Sequence, residues 1–278
     1  MTDGPASWIG RETAAQDTIA PGRARALWAS LGAGDGEPLT GAALPPLWHW
    51  LYFWELTPRA RLGPDGHAAA GEFLPPLGQV RRMWAGSRVA FHRPLVIGEP
   101  ARRRTTIADI TAKQGRSGAL TFVTLRHEIT GKDGPAIAEE QDLVYRDPAA
   151  GPAKAGAPAP DGGDRIERWT ADPVLLFRYS ALTFNAHRIH YDAPYANGME
   201  GYRGLVVHGP LLATLMAGAA QRHRAGATLA SFRFRALGPV FAEEAFSVHV
   251  EDRGGTADVW VRDRQGAFAA RGNVEWAA

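Results

Sequence analysis

Residues 208–225 read "HGPLLATLMAGAAQRHRA". Leu211, Leu212, Leu215, Met216 and Ala219 fall at i, i+1, i+4, i+5 and i+8, which gathers them on one face of a helix. Strand-like runs follow it: "LASFRFRALG" (229–238), "FSVHVEDR" (246–253), "ADVWVRDR" (257–264) and "AFAARGNVEW" (267–276). One apolar helix followed by a series of antiparallel strands predicts a curved sheet wrapped around that helix.

The first half repeats the layout. "LPPLWHWLYFWEL" (44–56) is densely aromatic and opens on two prolines, which predicts a buried helix with Pro in its first turn. It is followed by "GSRVAFHRPLVIG", "ARRRTTIADITA", "ALTFVTLRHEIT" and "AIAEEQDLVYR", all strand-like. A faint internal repeat relates "FHRPLVIGE" (91–99) to "FRALGPVFAE" (234–243). Between the halves lies "DPAAGPAKAGAPAPDGGD" (147–164), whose Pro, Ala, Gly and Asp bury too little apolar area to offset ordering entropy. The expected organisation is therefore two domains, 1–146 and 165–278, joined by a linker at 147–164. The fold class is α+β, and two such sheets can join edge to edge and so remove exposed strand edges.

Composition narrows the chemistry. The chain has 278 residues, 45% hydrophobic and 22% charged, the profile of a globular protein. It has no cysteine, which excludes disulfides, thiolate catalysis and cysteine-bound metal centres. "MTDGPASWIG" shows no secretory pattern, and no uncharged apolar run approaches the ~18–20 residues that span a bilayer, so a cytoplasmic location away from membranes is expected. Arginines number 28 against three lysines, but they are scattered and follow no nucleic-acid motif, so nucleic acid is not an expected partner.

Ahead of the second helix, "YSALTFNAHRIHYDAPYA" (179–196) packs Asn185, His187, His190 and Asp192 into eight residues. The stretch resembles the motif of the MaoC-like (R)-specific enoyl-CoA hydratases, the type 2 hydratases of the hot-dog fold. His190 matches the family histidine, Asn185 stands where the family has its catalytic aspartate, and His208-Gly209 matches the H-G step that starts the hot-dog helix. The variant "TFNAHRIHYD" with "GLVVHGPL", and "PPLWHWLYF" with "RRMWAGSRVAFHRPL" in the first half, are similar to one branch of the family. That branch holds mesaconyl-C(4)-CoA and itaconyl-CoA hydratases and mitochondrial-type 3-hydroxyacyl-thioester dehydratases.

The resemblance implies a double hot-dog with one site, in the second half. It implies a hydro-lyase on an acyl-CoA substrate, needing neither metal nor other cofactor. A citramalyl-type product is expected; dehydration in fatty acid synthesis, a hot-dog thioesterase and a non-catalytic acyl-CoA-binding module are the competing readings. Such a reaction needs a base, an acid and donors on the thioester oxygen. His190 is the expected base. Gly209 is the expected oxyanion donor at a helix N-terminus. Asn185 cannot ionise and is expected to orient water or to form an Asx turn. Asp192 either holds the His190 ring or caps a local helix. The H-x-x-H-x-D spacing does not fit a two-histidine helical metal motif.

Substrate-binding candidates are His208, near the helix start, and Arg233 and Arg235, alternating with Phe232 and Phe234 and so on the face opposite those rings. Arg82, Arg81 or Arg88 is expected to clamp a second carboxylate on the acyl group. A homodimer is compatible with this layout.

Overall fold

Every strand-like run read from the sequence contains a strand, though the 86–98 run is strand only as far as Phe91, and every strand pairing is antiparallel among the residues described in this computed structural model, 4–32, 34, 36–78, 81–115, 118–147 and 156–277. The first half holds β1 (Glu12–Thr18), β2 (Arg81–Phe91), β3 (Pro100–Gly115), β4 (Gly118–Gly131) and β5 (Gly134–Arg146). The second holds β6 (Arg165–Thr170), β7 (Leu229–Ala236), β8 (Ala245–Asp252), β9 (Thr256–Arg262) and β10 (Phe268–Trp276). All belong to one sheet, in the order β1-β3-β4-β5-β2-β7-β10-β9-β8-β6.

That order is one pattern used twice. Counted from either outer edge, each half runs first, third, fourth, fifth, second strand, and the halves meet second strand to second strand. The faint sequence repeat falls where each of those second strands ends. At the seam Arg88 pairs with Arg233 and Gly86 with Arg235. A β-carbon on Gly86 would lie 2.2 Å from the Phe234 carbonyl oxygen, so the close approach of β2 and β7 depends on glycine there.

Among the described residues the α-helices are α1 (Pro21–Ser30), α2 (Pro173–Thr183), α3 (Ala193–Gly198) and α4 (Gly209–His223). In α4 the predicted stripe of Leu211, Leu212, Leu215, Met216 and Ala219 is fully buried, and the helix packs against β6 to β10. The first half differs. The helix expected over 44–56 is a single 3-10 turn at Trp48–Leu51, bounded by Leu47 and Phe53 in the left-handed region (φ 69° and 61°). A helix would send its rings outward at fixed angles, whereas this path lets each find its own partner. Trp50 donates to Glu139, the Tyr52 hydroxyl to the Ala20 carbonyl, and Trp54 to the Leu182 carbonyl. The helix of this half is α1, which buries Ala24 and Leu27.

Of the predicted linker, 148–155 lies outside the described residues. The remainder is not free chain. The Ala159 amide bonds the Gly266 carbonyl, Trp260 donates to the Pro160 carbonyl, and His249 to that of Gly162. These backbone groups are satisfied by the second sheet, so composition underestimated their order. Among the described residues no helix is long and apolar enough to cross a membrane.

Candidate active site

The polar stretch after α2 is shaped by capping. Asp172 caps α2 by accepting from the Leu175 amide at 2.7 Å, with Pro173 in the first turn. The helix ends at Phe184, whose left-handed φ of 52° redirects the chain, and the Asn185 amide bonds back to the Ser180 carbonyl. Asn185 Oδ1 accepts from the His187 amide at 2.9 Å, an Asx turn that leads into a 3-10 turn at Arg188–His190.

His190 is 6% exposed, and its Nδ1 sits 2.7 Å from the Val206 carbonyl oxygen. A carbonyl only accepts, so Nδ1 carries the hydrogen and Nε2 keeps the lone pair. Val206 is fixed in turn by its amide on the Ile189 carbonyl and by a bridge to Phe241. Burial pushes His190 down to about 4, only partly countered by the Val206 bond, so the ring is neutral near pH 7. It stacks on His208 at 3.7 Å and meets His187 edge-on at 5.5 Å. Burial likewise holds His187 down, to about 2, and His208 well below its usual value, with the neighbouring imidazoles adding to both. His208 Nε2 lies 2.8 Å from Ser180 Oγ, while its Nδ1 is buried without a partner. Donation from Nε2 to the hydroxyl leaves only a lone pair unmatched, the cheaper arrangement.

Gly209 follows His208 and opens α4, so its N–H is one of the helix's unpaired first-turn donors, and Pro210 behind it has none. Gly209 and His190 line one cleft of about 1670 Å3 running between the two halves. Trp84 of the first half stands over Gly209: a β-carbon there would be 3.8 Å from its ring. Trp84 meets Phe234 and Trp50 edge-on at 5.1 and 4.8 Å, giving the cleft an aromatic wall.

Several expected residues sit elsewhere. Asp192 does not hold the His190 ring. It caps α3 by accepting from the Tyr195 amide at 3.0 Å and pairs with Arg188 at 2.7 Å. His190 takes its orientation from Val206 instead, and the His187–His190–Asp192 set is not assembled as ligands. Arg233 and Arg235 are exposed and absent from the cleft, because Phe232 and Phe234 of the same strand point into the core. Arg88 shares that outer face and pairs with Asp142 and Glu140. Arg82 does line the cleft; Arg81 does too, but is paired with Glu200 at 3.0 Å.

Other residues at the site were not read from the sequence. Arg59, Arg103 and Arg146 join Arg82 as cleft arginines without an acidic ion-pair partner among the described residues. Arg103 donates to the Phe53 carbonyl, and the Arg146 Nε is buried without a partner. A tight loop, "GPDGH", brings Asp65 and His67 beside His187, with His67 Nδ1 2.8 Å from Asp65 Oδ2. Ligand atoms of Asp65, His67 and His187 lie within 4.8 Å of one another, a spacing that suits a cation, but the charge of Arg82 acts on all three and opposes one. The signal for this loop was the Pro-Asp-Gly turn with a histidine at its end.

Residues 47–242 match the family described as hydroxyacyl-thioester dehydratase type 2. The chain is 46% identical over 271 residues to mesaconyl-C(4)-CoA hydratase of Chloroflexus aurantiacus, covering 97% of this chain and 96% of that one. It is 29% identical over 246 residues to the mitochondrial hydroxyacyl-thioester dehydratase type 2 of Schizosaccharomyces pombe, covering 79% and 80%. In fold it matches a MaoC-like dehydratase of Phytophthora capsici, with a TM-score of 0.73 at 16% identity over 96% of this chain and 95% of that one. A Mycobacterium tuberculosis protein described as having a double hotdog fold matches with a TM-score of 0.60 at 15% identity, over 97% and 96%. The fold is thus the double hot-dog, and the chain belongs to the hydroxyacyl-thioester dehydratase type 2 family.

Proposed function

We propose that the protein is an acyl-CoA hydratase that adds water across a 2-enoyl thioester, with a short dicarboxylic acyl group of the mesaconyl type as substrate. The observation that carries the reading is the neutral His190 ring, its Nε2 lone pair free of the Val206 bond, in the same cleft as the first amide of α4. Nε2 takes a proton from water as the oxygen bonds to C3. The double-bond electrons move through C2 onto the thioester oxygen, where the Gly209 N–H and the helix dipole stabilise the enolate. The proton then passes from His190 to C2 as the enolate collapses.

The acyl preference rests on the 46% identity to a mesaconyl-C(4)-CoA hydratase and on Arg82. In a C5 diacid the second carboxylate is attached beside the reacting carbons. Arg82 lines the cleft and its charge acts on His67 and His187, so it is the residue we assign to that carboxylate. The first half then lines the acyl pocket and the second supplies the base and the oxyanion amide. The test compares hydration of mesaconyl-, itaconyl- and crotonyl-CoA by the wild type and His190→Ala. We expect preference for a dicarboxylic substrate and a loss of about 1000-fold in kcat for the variant. Equal or better crotonyl-CoA turnover overturns the acyl assignment, release of free thiol in place of hydration overturns the reaction, and unchanged turnover in the variant overturns His190.

A further inference from the structure

Asn185, the polar residue five positions before His190, cannot ionise. Attacking water has two hydrogens. One goes to His190; the other, which stays on the product hydroxyl, needs an acceptor that fixes the oxygen toward C3. Asn185 Oδ1 already accepts from the His187 amide, and the amide group cannot take a charge.

The loop at 62–68 supplies a different group. It comes from the first half and is pinned onto the catalytic turn. The Arg188 amide bonds the Asp65 carbonyl at 2.9 Å, and Arg188 Nη1 bonds the Pro64 carbonyl at 3.0 Å. Gly66 sits at φ +91°, so close that a β-carbon would fall 1.9 Å from the Ala186 carbonyl oxygen. Within the loop, Asp65 Oδ1 accepts from the His67 amide at 3.0 Å, and Oδ2 meets His67 Nδ1 at 2.8 Å. An ionised carboxylate only accepts, so Nδ1 carries the hydrogen and Nε2 is left with the lone pair. The His67 ring lies 4.3 Å from that of His187, which in turn meets His190, and all three line the cleft.

We propose that Asp65 and His67 complete the water site: His67 Nε2 accepts the second hydrogen of the attacking water, and Asp65 holds the ring in the tautomer that makes this lone pair available. The proposal rests on the hydratase reading above. His190 takes one proton and returns it to C2, while the proton facing His67 remains on the oxygen bonded to C3, so His67 ends each turnover as it began. His67 is a catalytic residue, since it touches the reacting water, and Asp65 is a positioning residue. Charges facing the pair are Arg82 on β2 and Glu55 in the aromatic segment, with the imidazoles of His187 and His190 across the contact. Although burial opposes it, bonding to His67 holds the Asp65 carboxyl well below the usual range, while burial and Arg82 push His67 down, which keeps its lone pair available.

The test measures hydration of the wild type's best enoyl-CoA by His67→Ala and Asp65→Asn, with His223→Gln as a surface control. We expect kcat to fall about 100-fold in H67A and at least tenfold in D65N, with KM within threefold and the control unchanged. We also expect added imidazole to restore at least a tenth of the lost rate in H67A only. Circular dichroism melting curves confirm that each variant is folded. D65N, which keeps the shape and one acceptor oxygen, serves if H67A is not folded. A loss under tenfold in a folded variant, or no imidazole rescue of folded H67A, overturns the proposal. A wild type inactive on every enoyl-CoA overturns the hydratase reading itself, before the variants are read.

Discussion

The ring of His190 lies against the ring of His208, centroids 3.7 Å apart and planes 19° apart, one residue before the glycine that opens α4. Two stacked imidazoles in a buried site cannot both be cationic, and the bond from Nδ1 to the Val206 carbonyl leaves His190 as a neutral ring with one lone pair. The same packing sets the His190 ring beside the first turn of α4, where Gly209 follows His208.

The first prediction concerns pH. A base depressed to about 4 stays deprotonated through the neutral range, so kcat/KM should hold from about pH 8 to about pH 5 and fall as pH drops through about 4. Stability follows a related rule. His187, His190 and His208 bind protons less readily folded than unfolded, so between about pH 6.5 and pH 4 the unfolded chain holds more protons. Stability should therefore be complete above about pH 6.5 and decline below it, read as a lower melting temperature at pH 5 than at pH 7.

A methyl group at Gly209 separates folding from catalysis. Its carbon would contact Trp84 at 3.8 Å, an ordinary distance, so Gly209→Ala should melt within a few degrees of wild type. The thioester oxygen should nonetheless be held off the amide, with kcat falling about 100-fold, the scale of losing one oxyanion donor. Steady-state kinetics beside a thermal melt check both halves of this expectation.

Arginines on opposite faces of one sheet should behave differently. Arg82→Met should lower kcat/KM on the dicarboxylic enoyl-CoA by about 30-fold or more while leaving crotonyl-CoA within about threefold. Arg233→Met and Arg235→Met, on the outer face, should leave both substrates unchanged. Competition between the two thioesters in one reaction reads the ratio directly.

The seam between the halves is a sensitive backbone site. With only 2.2 Å between a new β-carbon and the Phe234 carbonyl oxygen, Gly86→Ala must push β2 from β7. A destabilisation of about 2–3 kcal/mol is expected, read as a shifted urea midpoint with an unchanged slope.

Much of this was legible in the sequence where local pattern and final environment agree. The Leu211 to Ala219 stripe is buried as its spacing implies, and the strand runs alternate because one face meets a core. The motif singles out His190 and Gly209, and both line the same cleft. The failures have physical causes. In 44–56 the bulk of the rings reads as a helix core, yet Leu47 and Phe53 in left-handed conformations break it, and nothing local in a leucine or phenylalanine announces that. Period two put Arg233 and Arg235 on a common face but could not say which face holds the ligand. Asp65 and His67 are more than a hundred residues from His190, and the docking of Gly66 on Ala186 together with the Arg188 bonds to Pro64 and Asp65 brings them together.

The doubled strand order has a consequence for how this chain can change. Two identical subunits must share every substitution, so a groove built between them is bound to symmetry and to two equal catalytic corners. Here each copy has its own stretch of gene, so a residue can change in one half and stay in the other. The two halves already differ: one holds the long buried α4, while the other meets the same cleft with an irregular run of aromatic rings, an asymmetry that no pair of identical subunits could carry.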